Sequence, residues 1–382
     1  MALDIETRNQ LIDTVRRFVT EECVPIEAKV SEDDRVPDSI IAQMRELGLF
    51  GLSIPTEYGG LGLTMEEEVL VCFELGQTSP AFRSVIGTNV GIGSQGIVMF
   101  GNEAQKNEWL PKLASGEMVA SFALTEPGAG SDAASVKVSA IHDGKDYVVN
   151  GTKRFITNAA RAGMFTLLAR TDPSKKGAGG ISAFIVPAKT PGITIGKPEK
   201  KMGQQGAHIH DVIFENARVP ESLRLAKEGE GFKVAMQVLD RGRLHISAVC
   251  VGVAERLIRE AVNYAREREQ FGQKIAEFQL IQGMLADCKT EAYAARCMVQ
   301  ETAKKRDRGE SVSMEAACCK YFASEMVGRV ADKAVQIFGG AGYVADYGIE
   351  RFYRDVRIFR LYEGTSQIQQ IVIARNLLRA EA

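Results

Sequence analysis

The spacing of apolar residues changes character twice along the chain, and nothing else in the sequence restricts the fold so much. Through about residue 118 apolar positions recur at helical intervals, with Leu11, Ile12, Val15, Phe18 and Val19 on one stripe. Asp38 reads as the cap of a helix that stops at Gly48, and Asn102 as the cap of one carrying Trp109 and Leu113. Thr64-Met65-Glu66-Glu67 reads as a capping box ahead of Val69, Leu70, Cys72 and Phe73. From about Val119 the period becomes two: Val136-Lys137-Val138, Tyr147-Val148-Val149, Phe165-Thr166-Leu167-Leu168, Phe184-Ile185-Val186 and Val212-Ile213-Phe214. Asp143-Gly144, between the first two, is a hairpin signal. After Gly231 the helical period returns, predicting helices over about 232–268 and 277–307 and a third from Ser313 to Gly339-Gly340. Long helices with short connections make an antiparallel bundle. The reading is therefore a helical domain over 1–118, a β domain over 119–231 and a helical bundle over 232–382.

Composition narrows the function classes. With 45% hydrophobic and 25% charged residues, this is an ordinary soluble chain with material for a large core. A net charge of −2 argues against nucleic acid as the main partner, because binding a phosphate backbone needs a basic excess. No apolar run is long enough to span a bilayer, so no membrane partner is expected. The acidic, helix-patterned start Ala2-Leu3-Asp4-Ile5-Glu6 is neither a secretory signal nor an Arg-rich transit peptide, which predicts a cytoplasmic protein. The seven cysteines contain no Cys-x-x-Cys pair and read as reduced thiols, mostly in helical cores. The four histidines show no metal spacing; His208 and His210 share a strand face and read as structural.

Several short motifs carry chemistry. Glu363-Gly364-Thr365-Ser366 places a carboxylate on the loop entering an amphipathic run of Ile368, Ile371, Val372 and Leu378, with Thr365 or Ser366 as cap. Such a carboxylate ordinarily just suits the positive end of the helix dipole. Phe122-Ala123-Leu124-Thr125-Glu126-Pro127-Gly128-Ala129-Gly130-Ser131-Asp132 is a loop rich in glycine and hydroxyls, whose backbone N–H groups can approach a polar ligand closely. It lacks the helix spacing of a dinucleotide fingerprint. In Phe155-Ile156-Thr157 a ring and a hydroxyl occupy alternate strand positions and face the same side, which suits a flat heteroaromatic cofactor; an ordinary core Phe is the plain alternative. Arg268-Glu269-Gln270-Phe271-Gly272 with Phe278-Gln279, and Gln336-Ile337-Phe338-Gly339-Gly340, would otherwise be charged or glycine-terminated helix ends.

Together, and in this order, these segments resemble the acyl-CoA dehydrogenase family over essentially the whole chain, closest to its short- and medium-chain, straight-chain members. The resemblance implies an N-terminal helical domain, a middle β-barrel or sandwich and a C-terminal four-helix bundle. It implies FAD as cofactor, lined by Phe122, Leu124, Thr125, Gly130, Ser131, Phe155, Ile156, Thr157, Thr365 and Gln367. Arg268, Gln270, Phe271, Phe278, Gln279, Gln336, Gly339 and Gly340 would reach the FAD of a neighbouring subunit, in a homo-oligomer built as a dimer of dimers. Ser131, Asp240, Arg243, Gly364 and Arg375 would touch the acyl-CoA, and Glu363 would be the catalytic base. Electrons would pass to an electron-transfer flavoprotein. Two departures stand out: Phe155 replaces a Trp that many members carry, and Gly242 stands where other members place the base, which favours Glu363.

The expected reaction is α,β-dehydrogenation of an acyl-CoA thioester. It needs fixed donors at the thioester carbonyl, which in the family are the N–H of the base and a ribityl hydroxyl of FAD. It also needs a carboxylate whose pKa, lowered by the dipole behind it, rises when the site is desolvated. An acyl-CoA oxidase is the nearest alternative, against which the chain length counts. A non-catalytic flavoprotein binding DNA or acyl-CoA is the alternative from another class. Arg83-Ser84 resembles the pair with which glutaryl-CoA dehydrogenases hold the distal carboxylate, whereas an arginine is more often a solvated surface residue.

Overall fold

The computed structural model describes residues 2–380. Helices fill the first part: α1 (Ile5–Arg17), α2 (Glu27–Asp33), α3 (Asp38–Glu46), α4 (Met65–Leu75), α5 (Pro80–Gly87), α6 (Gln95–Phe100) and α7 (Glu103–Ala114). Both ends of the capping logic hold at α4 and α7, where Thr64 with Glu67 and Asn102 with Gln105 form reciprocal capping boxes. Asp38 does not cap: it is the first residue of α3, after Pro37, and its carboxylate pairs with Arg35 instead. α5 runs into a π-helical turn over Thr88–Gly93 that carries Gly91 and Ile92.

The strands form one eight-stranded sheet: β1 (Val119–Ala123), β2 (Ser139–Asp143), β3 (Asp146–Thr157), β4 (Ala162–Arg170), β5 (Ile181–Pro187), β6 (Ile193–Ile195), β7 (Ile209–Pro220) and β8 (Arg224–Leu225). They run in the order β6-β7-β3-β2-β4-β5-β8, with β1 parallel to β4. Gly144, at φ 70°, turns the β2–β3 hairpin. Val136-Lys137-Val138 is not a strand. Val136 and Val138 are buried, but the N–H groups of Lys137 and Val138 donate to the Glu126 carboxylate (2.6 and 2.9 Å) rather than to a ladder. Glu126 also pairs with the fully buried Lys153 ammonium at 2.7 Å, which donates in addition to Leu124 O at 2.8 Å.

The third part holds α8 (Gly231–Glu267), the short strands β9 (Glu269–Gln270) and β10 (Gln273–Lys274), α9 (Gln279–Asp307), α10 (Ser313–Phe338), the single turn α11 (Gly340–Tyr343), α12 (Ile349–Val356) and α13 (Ser366–Ala380). Helices α8, α9 and α10 pack on one another through a core that includes Val253, Leu257, Val299, Val327 and Val330, and α13 packs on α10. The apolar stripe of α13 is not buried in this chain: Ile371 is 43% and Leu378 74% exposed. No helix among the described residues is long and apolar enough to cross a membrane.

Helix α4 crosses α8 at backbone contact. A Cβ on Gly252 would meet the Phe73 carbonyl oxygen and lie 2.7 Å from Gly76 Cα, and a Cβ on Gly76 would lie 2.5 Å from Val249 O. The crossing brings Glu68 of α4 against Arg241 and His245 of α8. Gly252→Ala should therefore cost about 1–3 kcal/mol by overpacking. A fall in the urea midpoint at unchanged m-value would report it, and a midpoint equal to wild type would show that the helices separate freely.

Candidate active site

The loop Leu361–Thr365 enters α13 in a strained shape. Glu363 has φ 55° and Gly364 φ 88°, and a non-glycine residue there costs on the order of 1–3 kcal/mol. Three groups hold the strained turn. Gln369 Nε2 donates to the carbonyls of Glu363 and Gly364 (both 3.0 Å), and the buried Lys320 Nζ donates to Gly364 O at 2.6 Å. Thr365 Oγ1 caps α13 by accepting from Ile368 N.

This shape turns the Glu363 carboxylate towards α8. A Cβ on Gly242 would lie 2.6 Å from Glu363 Oε2 and 3.1 Å from Ile92 Cγ2, so the missing side chain is the space the carboxylate occupies. Oε2 is shut from solvent and meets no donor among the described residues. Nor has the Glu363 backbone N–H an acceptor among them. Burial raises the carboxyl pKa above its ordinary value, while the cations Arg83, Lys320 and Arg243 hold it down. Burial in turn pushes Lys320 down to about 8, against the attraction of Glu363.

Arg83 is buried, at 7% exposure, so the reading of it as a solvated surface residue fails. Its guanidinium lies over Gly87, where a Cβ would sit 2.7 Å from Cζ. Nε donates to His245 Nε2 at 3.0 Å. Arg243, next to Gly242 in α8, pairs at 2.7 Å with Asp240 one turn before it, and Arg375 stands exposed on α13.

The presumed cofactor residues gather on the β domain. Arg154 N donates to Thr125 O (2.8 Å) and Ser121 Oγ to Thr157 O (2.7 Å), so the loops of residues 122–131 and 155–157 lie side by side. Phe155 is 54% exposed at φ 58°, on a register shift of β3, and is not a core residue. Ile156 is buried in the sheet core, so only its backbone is available; Leu124 is nearly buried, Phe122, Thr125 and Thr157 are half-buried, and Gly130 and Ser131 are exposed. A Cβ on Gly128 or Gly130 would meet nothing. At the bundle's end Tyr264, one turn before Arg268, stacks on Phe338 at 4.1 Å, and Gly339 and Gly340 follow Phe338 in the chain. Gln270, Phe271 and Gln279 are exposed there, Phe278 is half-buried, and Gln367 is exposed on α13.

Profiles of the acyl-CoA dehydrogenase N-terminal, middle and C-terminal domains match residues 5–117, 121–217 and 229–378. The chain belongs to the acyl-CoA dehydrogenase family. An acyl-CoA dehydrogenase of Bacillus subtilis is 42% identical, over 95% of this chain and 96% of that one. The acryloyl-CoA reductase (NADH) of Anaerotignum propionicum is 43% identical, over 98% and 95%. A chain from a structure described as the electron transferring flavoprotein of Acidaminococcus fermentans superposes with a TM-score of 0.95 at 40% identity, covering 99% of this chain and 100% of that one. The Bacillus anthracis acyl-CoA dehydrogenase complexed with FAD superposes with a TM-score of 0.92 at 35% identity, over 99% and 67%. This acyl-CoA dehydrogenase is thus a flavoprotein oxidoreductase acting on acyl-CoA, with FAD as cofactor. The open glycine edge, the exposed Phe155 ring and the adjacent hydroxyls fit that cofactor.

Sequence reasoning missed Lys320, Glu68 and His245. All three lie fully buried inside helices, and only an ionisable residue interrupting an apolar helical face could have marked them. Removing the Lys320 cation leaves Glu363 with less to offset its burial. On the expectation that Glu363 is the base and acts ionised, Lys320→Met should move the acid limb of kcat/KM to higher pH. An unmoved limb would show that Lys320 only ties the loop.

Proposed function

We propose that the enzyme catalyses α,β-dehydrogenation of an acyl-CoA thioester to the trans-2-enoyl-CoA, with Glu363 as the base. The single observation that carries this is the partnerless, enclosed Glu363 oxygen in the space left by Gly242. A carboxylate there is desolvated and raised in pKa, which improves it as a base for a weakly acidic α-proton. FAD, when bound, supplies the acceptor for the hydride that leaves Cβ. The unsatisfied Glu363 N–H is a fixed donor for the thioester oxygen, where charge develops as the α-proton leaves. Asp240, Arg243, Ser131, Gly364 and Arg375 are assigned to the acyl-CoA. Oxygen is not needed as the acceptor; electron-transfer flavoprotein is the proposed redox partner and the cytoplasm the proposed compartment.

The test is Glu363→Gln, which is nearly isosteric and removes only the base. It should keep FAD and bind acyl-CoA but lose on the order of 10²–10⁴ in the rate of flavin bleaching. Near-wild-type bleaching would place the base elsewhere.

The proposed homo-oligomer, a dimer of dimers, is supported by the apolar side chains left open on the bundle, where Phe271 is 94%, Leu280 85% and Tyr343 84% exposed. An arginine there suits a pyrophosphate contributed from a neighbouring subunit's site. Arg268→Ala should lose FAD and loosen assembly together; a fully flavinated monomer by light scattering would contradict both.

A second reading concerns the acyl tail. Arg83 is buried, yet no carboxylate among the described residues forms an ion pair with it. Its charge acts on Glu363 without an ion-pair contact, which leaves the guanidinium short of an anion at hand, so a substrate carboxylate is a natural occupant. This makes a dicarboxylyl-CoA such as glutaryl-CoA the proposed substrate. Wild type should then turn over glutaryl-CoA with a higher kcat/KM than butyryl-CoA, and Arg83→Ala should reverse the order without loss of FAD. Equal preference in both proteins would leave an ordinary fatty acyl-CoA dehydrogenase.

A further inference from the structure

Four side chains from three helices form a chain of hydrogen bonds that ends on Arg83. Arg83 of α5 donates from Nε to His245 Nε2 (3.0 Å), His245 Nδ1 meets Glu68 Oε1 of α4 (2.8 Å), and Arg241 of α8 holds the other Glu68 oxygen. Glu68 and His245 are fully buried. The protons follow from chemistry. A guanidinium only donates and an ionised carboxylate only accepts, so the imidazole between them must accept at Nε2 and donate from Nδ1. It is therefore neutral, and burial together with the Arg83 charge pushes its pKa down to about 4, which agrees.

The choice of a neutral acceptor has a consequence. A carboxylate in direct contact with Arg83 would neutralise it. An imidazole fixes the same nitrogen and leaves the positive charge intact. The Glu68 charge stands one ring further back and is already shared with Arg241. We propose that His245 is a positioning residue for substrate selection, orienting the Arg83 guanidinium without quenching its charge so that its terminal nitrogens remain free for an anionic acyl tail. The inference rests on the reading of Arg83 as the tail-binding group. Gly87 belongs to the same device, because a side chain there would displace the guanidinium.

The test measures binding, not turnover. Dissociation constants for glutaryl-CoA and butyryl-CoA are taken by calorimetry on flavinated protein in the Glu363→Gln background. Four further substitutions are compared: Arg83→Ala, His245→Leu, His245→Gln and His245→Asn. Glutamine reaches the Nε2 position and keeps the acceptor for Arg83; asparagine reaches the Nδ1 position and keeps only the contact to Glu68. The parent should prefer glutaryl-CoA. His245→Leu and His245→Asn should lose on the order of tenfold of that preference, the worth of one hydrogen bond to a charged group. His245→Gln should keep most of it, and butyryl-CoA affinity and FAD content should stay constant throughout. If His245→Leu does not fold, the glutamine and asparagine variants decide alone, since a merely structural histidine would make them equivalent. An unchanged preference in His245→Leu or His245→Asn, with the preference collapsed in Arg83→Ala, overturns the role of His245 and leaves the tail reading standing. An unchanged preference in Arg83→Ala overturns both.

Discussion

The molecule is organised around a carboxylate with one oxygen taken out of water. Glu363 can be enclosed only because Gly242 has no side chain and because Arg83, Lys320 and Arg243 stand close enough to offset part of the desolvation. These cations come from α5, α10 and α8, so the electrostatic setting exists only once three helices from both ends of the chain have packed. Enclosure raises the pKa, and the cations limit the rise. The two effects act on the same carboxyl in opposite directions, and a pKa raised by burial is what the proposed base needs. The strained backbone at Glu363 and Gly364 is part of the same arrangement, since it aims the carboxylate and is held by Gln369 and Lys320.

Packing geometry serves that centre. The glycine contact between α4 and α8 sets the depth at which Glu68 meets Arg241 and His245, and through them the orientation of Arg83. On the sheet, the buried Lys153–Glu126 pair and the two backbone donors to Glu126 pin the base of the glycine loop and leave its tip open. A further buried cluster ties the parts together. Glu27 of α2 accepts from Thr78, the Ser79 backbone and Arg351 of α12, and Gln204 N, between β6 and β7, donates to Asp355 of α12. Loss of one partner from such a site leaves an uncompensated buried charge, so each pair fixes a geometry more than it adds stability.

Much of this was legible in the residues. Helix and strand periods separated the α, β and α regions because burial of one face imposes them locally. The bundle helices were read within two residues of their ends because Gly231, Gly339 and the Thr365 cap are local signals. Where local pattern misled, a tertiary partner had intervened. Val136-Lys137-Val138 alternates like a strand, but the Glu126 carboxylate, 11 and 12 residues before the donors, takes the N–H groups of Lys137 and Val138. The α13 stripe reads as core but stays exposed in a single chain. Asp38 looks like a cap but follows a proline and turns to Arg35.

The sequence by itself determined the order of elements, the glycine loop and the capped entry to α13, because each depends on residues adjacent in the chain, and the set of motifs shared with the family drew attention to Glu363. Only the tertiary structure decided what surrounds that carboxylate. Gly242, Arg83, Lys320, His245 and Glu68 are separated by as many as 295 positions from Glu363, counted from 68 to 363. Their ionisable groups become neighbours through helix crossings that no local period records. Burial, which raises the carboxyl pKa of Glu363 and lowers that of His245, is a property of that packing and of nothing shorter.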